Sequence, residues 1–86
     1  MRLNGKAAIV TGSARGIGLA VARAFLREGA AVVIADINIE GAREAAAGLG
    51  APEGRVLPLA VNVADQASVQ AMVDATVATF GGVDIL

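Results

Sequence analysis

Apolar residues along this chain alternate between short unbroken runs and stripes at helical spacing, the pattern of buried parallel strands joined by crossover helices. The first strand is predicted over residues 6–10. The helix after it is predicted over 15–28, with Ile17, Ala20, Val21, Ala24 and Phe25 inward, Arg23, Arg27 and Glu28 outward, and Gly29 closing it. Residues 31–35 are apolar at every position, as a strand covered on both faces must be, and they run into Asp36 at the carboxyl end. A second helix is predicted over 39–49 with Gly50 as its stop, followed by a turn at 51–54. The third strand, 56–61, contains Pro58, which cannot donate to a ladder, so it belongs at a sheet edge. The third helix is predicted over 66–80, capped by Asp65 and ended by Gly81 and Gly82, with Val69, Val73, Thr76, Val77 and Phe80 on its packing stripe. Residues 83–86 open a fourth strand.

The order β-α-β-α-β-α-β predicts an α/β class fold, a Rossmann-type parallel sheet of strand order 3-2-1-4, the truncated half of a doubly wound fold. Right-handed crossovers put the first two helices on one face and leave the third to cover the other nearly alone, with half of that face bare. Domains normally finish in exposed polar linkers, whereas this chain stops inside an apolar run. Residues 1–86 are therefore expected to be the N-terminal portion of a larger domain.

Composition narrows the function mainly by exclusion. The longest apolar stretch, 30–35, is far below the roughly 18 residues that suggest a membrane span, although 56% of residues are hydrophobic and mean hydropathy is +0.67. Seven basic and eight acidic residues are scattered to a net charge of −1, so no basic footprint marks a nucleic acid or anionic membrane partner. The N-terminus lacks a secretory h-region, which predicts a cytoplasmic location. No cysteine or histidine is present, and no metal site is expected. Tyrosine is also absent and Lys6 is the single lysine, so no catalytic residue is expected within the chain.

The chemistry that remains is nucleotide binding. Gly12, Gly16 and Gly18 follow the first strand directly and open a helix, where missing side chains permit a sharp turn, close approach to a phosphate and tight helix packing. Amides from Ser13 to Ile17 and the positive end of the helix would face a pyrophosphate. A bare glycine triplet can equally be a plain strand-turn-helix; the strand before, the helix after and Asp36 at the next strand end favour the nucleotide. Asp36 lies eighteen residues past Gly18, near the roughly 20-residue spacing at which an acid reaches the ribose hydroxyls. That argues for NAD, since a 2′-phosphate about 4 Å from this carboxylate would be repelled by about 4 kcal/mol per charge pair at an effective dielectric near 20.

The run Thr11-Gly12-x-x-x-Gly16-Ile17-Gly18, with Leu3-x-Gly5-Lys6 before it and Gly82-Val83-Asp84-Ile85-Leu86 at the end, resembles the short-chain dehydrogenase/reductase family over essentially the whole chain. The resemblance implies a parent that transfers a hydride between a secondary alcohol or ketone and nicotinamide, often as a homo-oligomer. The family's Asn-Asn-Ala-Gly segment and its catalytic Ser and Tyr-x-x-x-Lys would lie beyond residue 86. It implies that Ser13 reaches the ribose side and that Asn62 and Val63 meet adenine where relatives usually carry Asp-Val. An asparagine there can accept from the adenine amine or simply cap its own turn. Thr11 is read as bracing the turn. Arg15 stands where NADP-preferring relatives often show a base, while Ile37 stands where they commonly carry arginine, so NAD is expected over NADP. The predicted cofactor contacts are Gly12, Ser13, Arg15, Gly16, Ile17, Gly18, Asp36, Ile37, Asn62 and Val63. The rival class is a non-catalytic nucleotide-binding or interaction module with the same half-fold; a methyltransferase-like adenosine binder fits the glycine spacing poorly.

Exposed faces and edges of a parallel sheet predict that the isolated chain self-associates, folds loosely or needs its missing remainder. Analytical ultracentrifugation and thermal melts check this: a monodisperse monomer with one cooperative transition contradicts it.

Overall fold

A computed structural model of the chain describes residues 5–52 and 54–84. Three strands, β1 (Ala7–Thr11), β2 (Ala31–Asp36) and β3 (Val56–Ala60), alternate with three helices, α1 (Gly16–Arg27), α2 (Ile39–Gly48) and α3 (Gln66–Phe80). The strands are parallel in the order β1-β2-β3, with Thr11 paired to Ala35 and Asp36 to Ala60 at their carboxyl ends. Val32 donates to the Arg55 carbonyl and Val61 to that of Asp36, so odd-numbered residues of β3 face β2. Pro58 therefore turns its missing N–H to the free edge, which is why the ladder tolerates it.

Alternation along β2 divides the core. Val32 and Ile34 face α1 and α2, packing with Ala22, Ala30 and Ala42, while Val33 and Ala35 join Ile9, Val61 and Met72 under α3. The handedness expectation is met: two helices on one face, the third on the other. The bare half-face is not. Ile9, Val33 and Ala35 are at most 2% exposed, and only β3, at Leu57 and Leu59, stays half-buried. Outer strands of a three-stranded sheet stand only about 10 Å apart, close to the diameter of one helix, so α3 suffices for most of it.

Two helix faces also differ from expectation. On α1, Ile17 and Val21 point to solvent and Ala20 and Ala24 are exposed, while Ala22 is buried and Phe25 and Leu26 pack against the sheet. The helix has apolar residues on both sides, so periodicity alone could not choose. Gly18 decides the rotation: a Cβ there would stand 2.5 Å from the Gly12 carbonyl oxygen, so its side of α1, continuing through Ala22, is the one pressed inward. On α3, Met72 is buried with Thr76, whose hydroxyl donates to the Met72 carbonyl at 2.8 Å, while Val77 is 45% exposed. Caps behave as expected. Asp65 accepts from the Ala67 amide, and Gly81 ends α3 at φ 86°.

Residues 85–86 of the expected fourth strand lie outside the described residues. Asp84 stands at the edge of β1 opposite β2, exchanging main-chain and side-chain bonds with Ala7: its amide donates to the Ala7 carbonyl and its carboxylate accepts from the Ala7 amide, both at 2.9 Å.

Two isoleucines test this description. Ile34→Ala, inside the core, is expected to lower unfolding free energy by about 2–5 kcal/mol in urea titrations, and Ile17→Ala, at a solvent-facing position, to change it by less than about 0.5 kcal/mol.

Candidate nucleotide-binding crevice

Every predicted site residue falls at the carboxyl ends of the strands. β1 leaves the sheet at Gly12 and the chain enters α1 at Gly16; both glycines hold left-handed backbone, φ 63° and 65°, which a side chain would strain. Gly18 supplies the close approach of helix to loop. The three glycines thus act differently, two by dihedral angle and one by contact. The first turn of α1 has no side-chain cap and no acid, so its orphan amides and positive dipole end are left for an external anion.

Asp36 is the first residue of β2 after the fully buried Val32–Ala35 segment to reach the surface. Its Oδ2 accepts from the Ala14 amide at 3.3 Å and its Oδ1 from the Asn38 amide at 3.1 Å. A carboxylate offers about four acceptor positions, so two remain for a ligand diol. Asn38 in turn caps α2 by accepting from the Gly41 amide at 3.1 Å. Of the amides from Ser13 to Ile17 expected to face a pyrophosphate, that of Ser13 donates instead to the Ala35 carbonyl and that of Ala14 to Asp36, because the bend at Gly12 turns both toward β2; the signal for Asn38 is its Asp-x-Asn spacing ahead of a helical run.

Two hollows meet at Asp36 and Ile37. One, of about 540 Å3, runs between α1 and α2 and is lined by Arg15, Arg23, Asn38 and Glu44 among others. The second, of about 240 Å3, is lined by Gly12, Asp36, Ile37, Val61, Asn62 and Val63. The Val61 amide, bonded to the Asp36 carbonyl at 3.0 Å, carries the β3 ladder one step further and sets Asn62 and Val63 beside the acid. Ile37 and Val63 are 75% and 67% exposed, an apolar wall facing solvent. Arg15 is exposed in extended backbone at the start of α1, in the same hollow as Asp36.

At two positions the side chain is engaged elsewhere. The Ser13 side chain, expected on the ribose side, is instead fully buried: its hydroxyl donates to the Val10 carbonyl and accepts from the Ala35 amide at 3.1 Å. Backbone turning at Gly12 points it into the sheet. Asn62 takes the turn-capping alternative, with Oδ1 accepting from the Ala64 amide at 3.1 Å. The Val63 amide has no acceptor among the described residues.

A parallel sheet ending in a glycine loop, an uncapped helix start and a strand-end acid defines a Rossmann-like nucleotide-binding half-fold. Residues 6–86 match the family model for short chain dehydrogenases, and the chain belongs to that family, as its N-terminal portion. It is 52% identical over 99% of its length to D-threitol dehydrogenase of Mycolicibacterium smegmatis and 51% identical over its whole length to sorbitol dehydrogenase of Cereibacter sphaeroides. Among solved structures it resembles a hydroxysteroid dehydrogenase from Escherichia coli, with TM-score 0.90 and 32% identity over 98% of this chain. The chain spans 33%, 32% and 35% of the lengths of these three proteins, about a third of each. The family binds a nicotinamide dinucleotide. Among the described residues no helix is long and apolar enough to cross a membrane, and no cluster of metal-ligating side chains occurs.

Substituting the third glycine tests the loop geometry. Gly18→Ala is expected to lower the melting temperature and weaken dinucleotide binding at least tenfold by isothermal titration calorimetry, because the new methyl must displace the Gly12 carbonyl.

Proposed function

We propose that this chain forms the adenosine and pyrophosphate half of an NAD(H) site in a dehydrogenase acting on secondary alcohols. The observation that carries the reading is the position of Asp36, half-buried at the joint of the two hollows with the glycine loop on its other side. In this reading the amides of Gly16, Ile17 and Gly18 receive the pyrophosphate, Asp36 accepts from the ribose diol, and adenine lies against Ile37 and Val63 with the Val63 amide as donor. Gly12 and Gly16 keep the loop clear of side chains, and Arg15 screens the diphosphate charge from the helix start. Ser13 and Asn62 serve through backbone they hold.

Nicotinamide, once bound, supplies the hydride acceptor; this chain supplies the anchoring that fixes where the ring can lie. Similarity to the D-threitol and sorbitol dehydrogenases supports a polyol as substrate of the whole protein. Family resemblance further supports a cytoplasmic homo-oligomer. A carboxylate facing the 2′ position favours NAD over NADP, since removal of a charged hydrogen-bond partner is worth about 1.5–3 kcal/mol and a phosphate there would meet like charge.

Calorimetric titration of NAD and NADP against wild type and Asp36→Asn checks the assignment. NAD is expected to bind more tightly than NADP to wild type and at least tenfold more weakly to the variant. Wild-type preference for NADP, or unchanged NAD affinity in the variant, overturns it.

A further inference from the structure

We propose that Ser13 is a positioning residue that sets the ribose selectivity of the crevice through Asp36 without touching the ligand; the proposal rests on the reading of Asp36 given above. Beyond Thr11 the chain bends out of the sheet at Gly12, and main-chain pairing with β2 would end there. Ser13 carries it on. Its amide donates to the Ala35 carbonyl at 3.3 Å, its hydroxyl accepts from the Ala35 amide at 3.1 Å, and the same hydroxyl donates to the Val10 carbonyl.

The residues on either side of this junction are the two ends of another bond. Ala14, next after Ser13, donates its amide to Asp36 Oδ2, and Asp36 is next after Ala35. Ser13 and Ala35 are both fully buried, so water cannot take over a lost partner. Removing the hydroxyl takes one bond from the Val10 carbonyl and one from the Ala35 amide, leaves that pair to the strand ladder alone, and frees the loop to relax against β2. The 3.3 Å contact from Ala14 is already long for a hydrogen bond, so a small shift breaks it and releases the carboxylate from one of its two tethers. A carboxylate free to change rotamer recognises a ribose diol poorly, whereas the pyrophosphate seat at the uncapped start of α1 lies further along the chain and is less affected.

This separates positioning from general structural support. The measured quantity is the ratio of dissociation constants for 2′-deoxyadenosine NAD and NAD, which reports recognition of the ribose hydroxyl alone. Wild type is expected to give a ratio of about ten or more, the weight of one hydrogen bond to a charged group. Ser13→Ala is expected to bring it below about three while the affinity for the deoxy analogue stays within about threefold. Ser13→Cys, which preserves volume with a weaker donor and acceptor, is expected to show the same collapse and serves where the alanine variant does not fold by circular dichroism. A folded variant of either kind with the wild-type ratio, or with both ligands weakened equally, overturns the proposal. A wild-type ratio near one removes the ribose reading of Asp36 and this proposal with it.

Discussion

The burial of β2 on both faces is the constraint from which the rest of the molecule follows. Val32, Val33, Ile34 and Ala35 have no exposed surface, and alternation sends two of them under α1 and α2 and two under α3. A strand in that position can carry no polar side chain until it leaves the core. Asp36 is therefore both the end of the strand and the start of the crevice. Its carboxylate emerges at the one level where β1 and β3 also end, so the glycine loop and the Asn62–Val63 turn are brought around it by pairing alone.

The loop after β1 meets a different requirement. It must reverse direction within a few residues, present bare amides and let α1 lie close enough to bury Ala22. Left-handed backbone at Gly12 and Gly16 serves the first two needs, and the missing Cβ of Gly18 serves the third. Removing side chains also removes packing, and the loop would be loosely held were it not for Ser13. A buried hydroxyl between two strand ends adds to the main-chain bond that Ser13 makes to Ala35 beyond the bend. Recognition at the surface thus depends on a polar group that never reaches it.

Much of this architecture could be read from residue patterns. Continuous apolar runs and glycine stops located all six described elements to within a residue or two, and α3 at both ends, because caps such as Asp65 and Gly81 act locally. Pro58 marked the edge strand correctly. Ten candidate site residues cluster at one sheet edge because the ends of parallel strands converge there. What residue patterns leave open is direction. Ile17, Val21 and Val77 face solvent, Met72 lies in the core, and the Ser13 side chain points into the sheet and away from the crevice. Helices with apolar residues on several sides carry no local record of which side faces the sheet.

By itself the sequence determined the element order, the strand that must be central, the position of the loop and the acid that faces it. Each of these follows from local chemistry: backbone freedom at glycine, donor loss at proline, uniform apolarity where both faces are covered. Only the tertiary structure decided the rotation of α1, the inward turn of Ser13, the capping role of Asn62 and the two tethers on Asp36. The inward turn of Ser13 and the first tether on Asp36 depend on contacts between residues twenty-two apart, Ser13 with Ala35 and Ala14 with Asp36, while the Asn62 cap and the Asn38 tether are short-range bonds selected from several that the local chain allows. A side chain with two possible partners is committed by whichever one the packed sheet brings within hydrogen-bond reach.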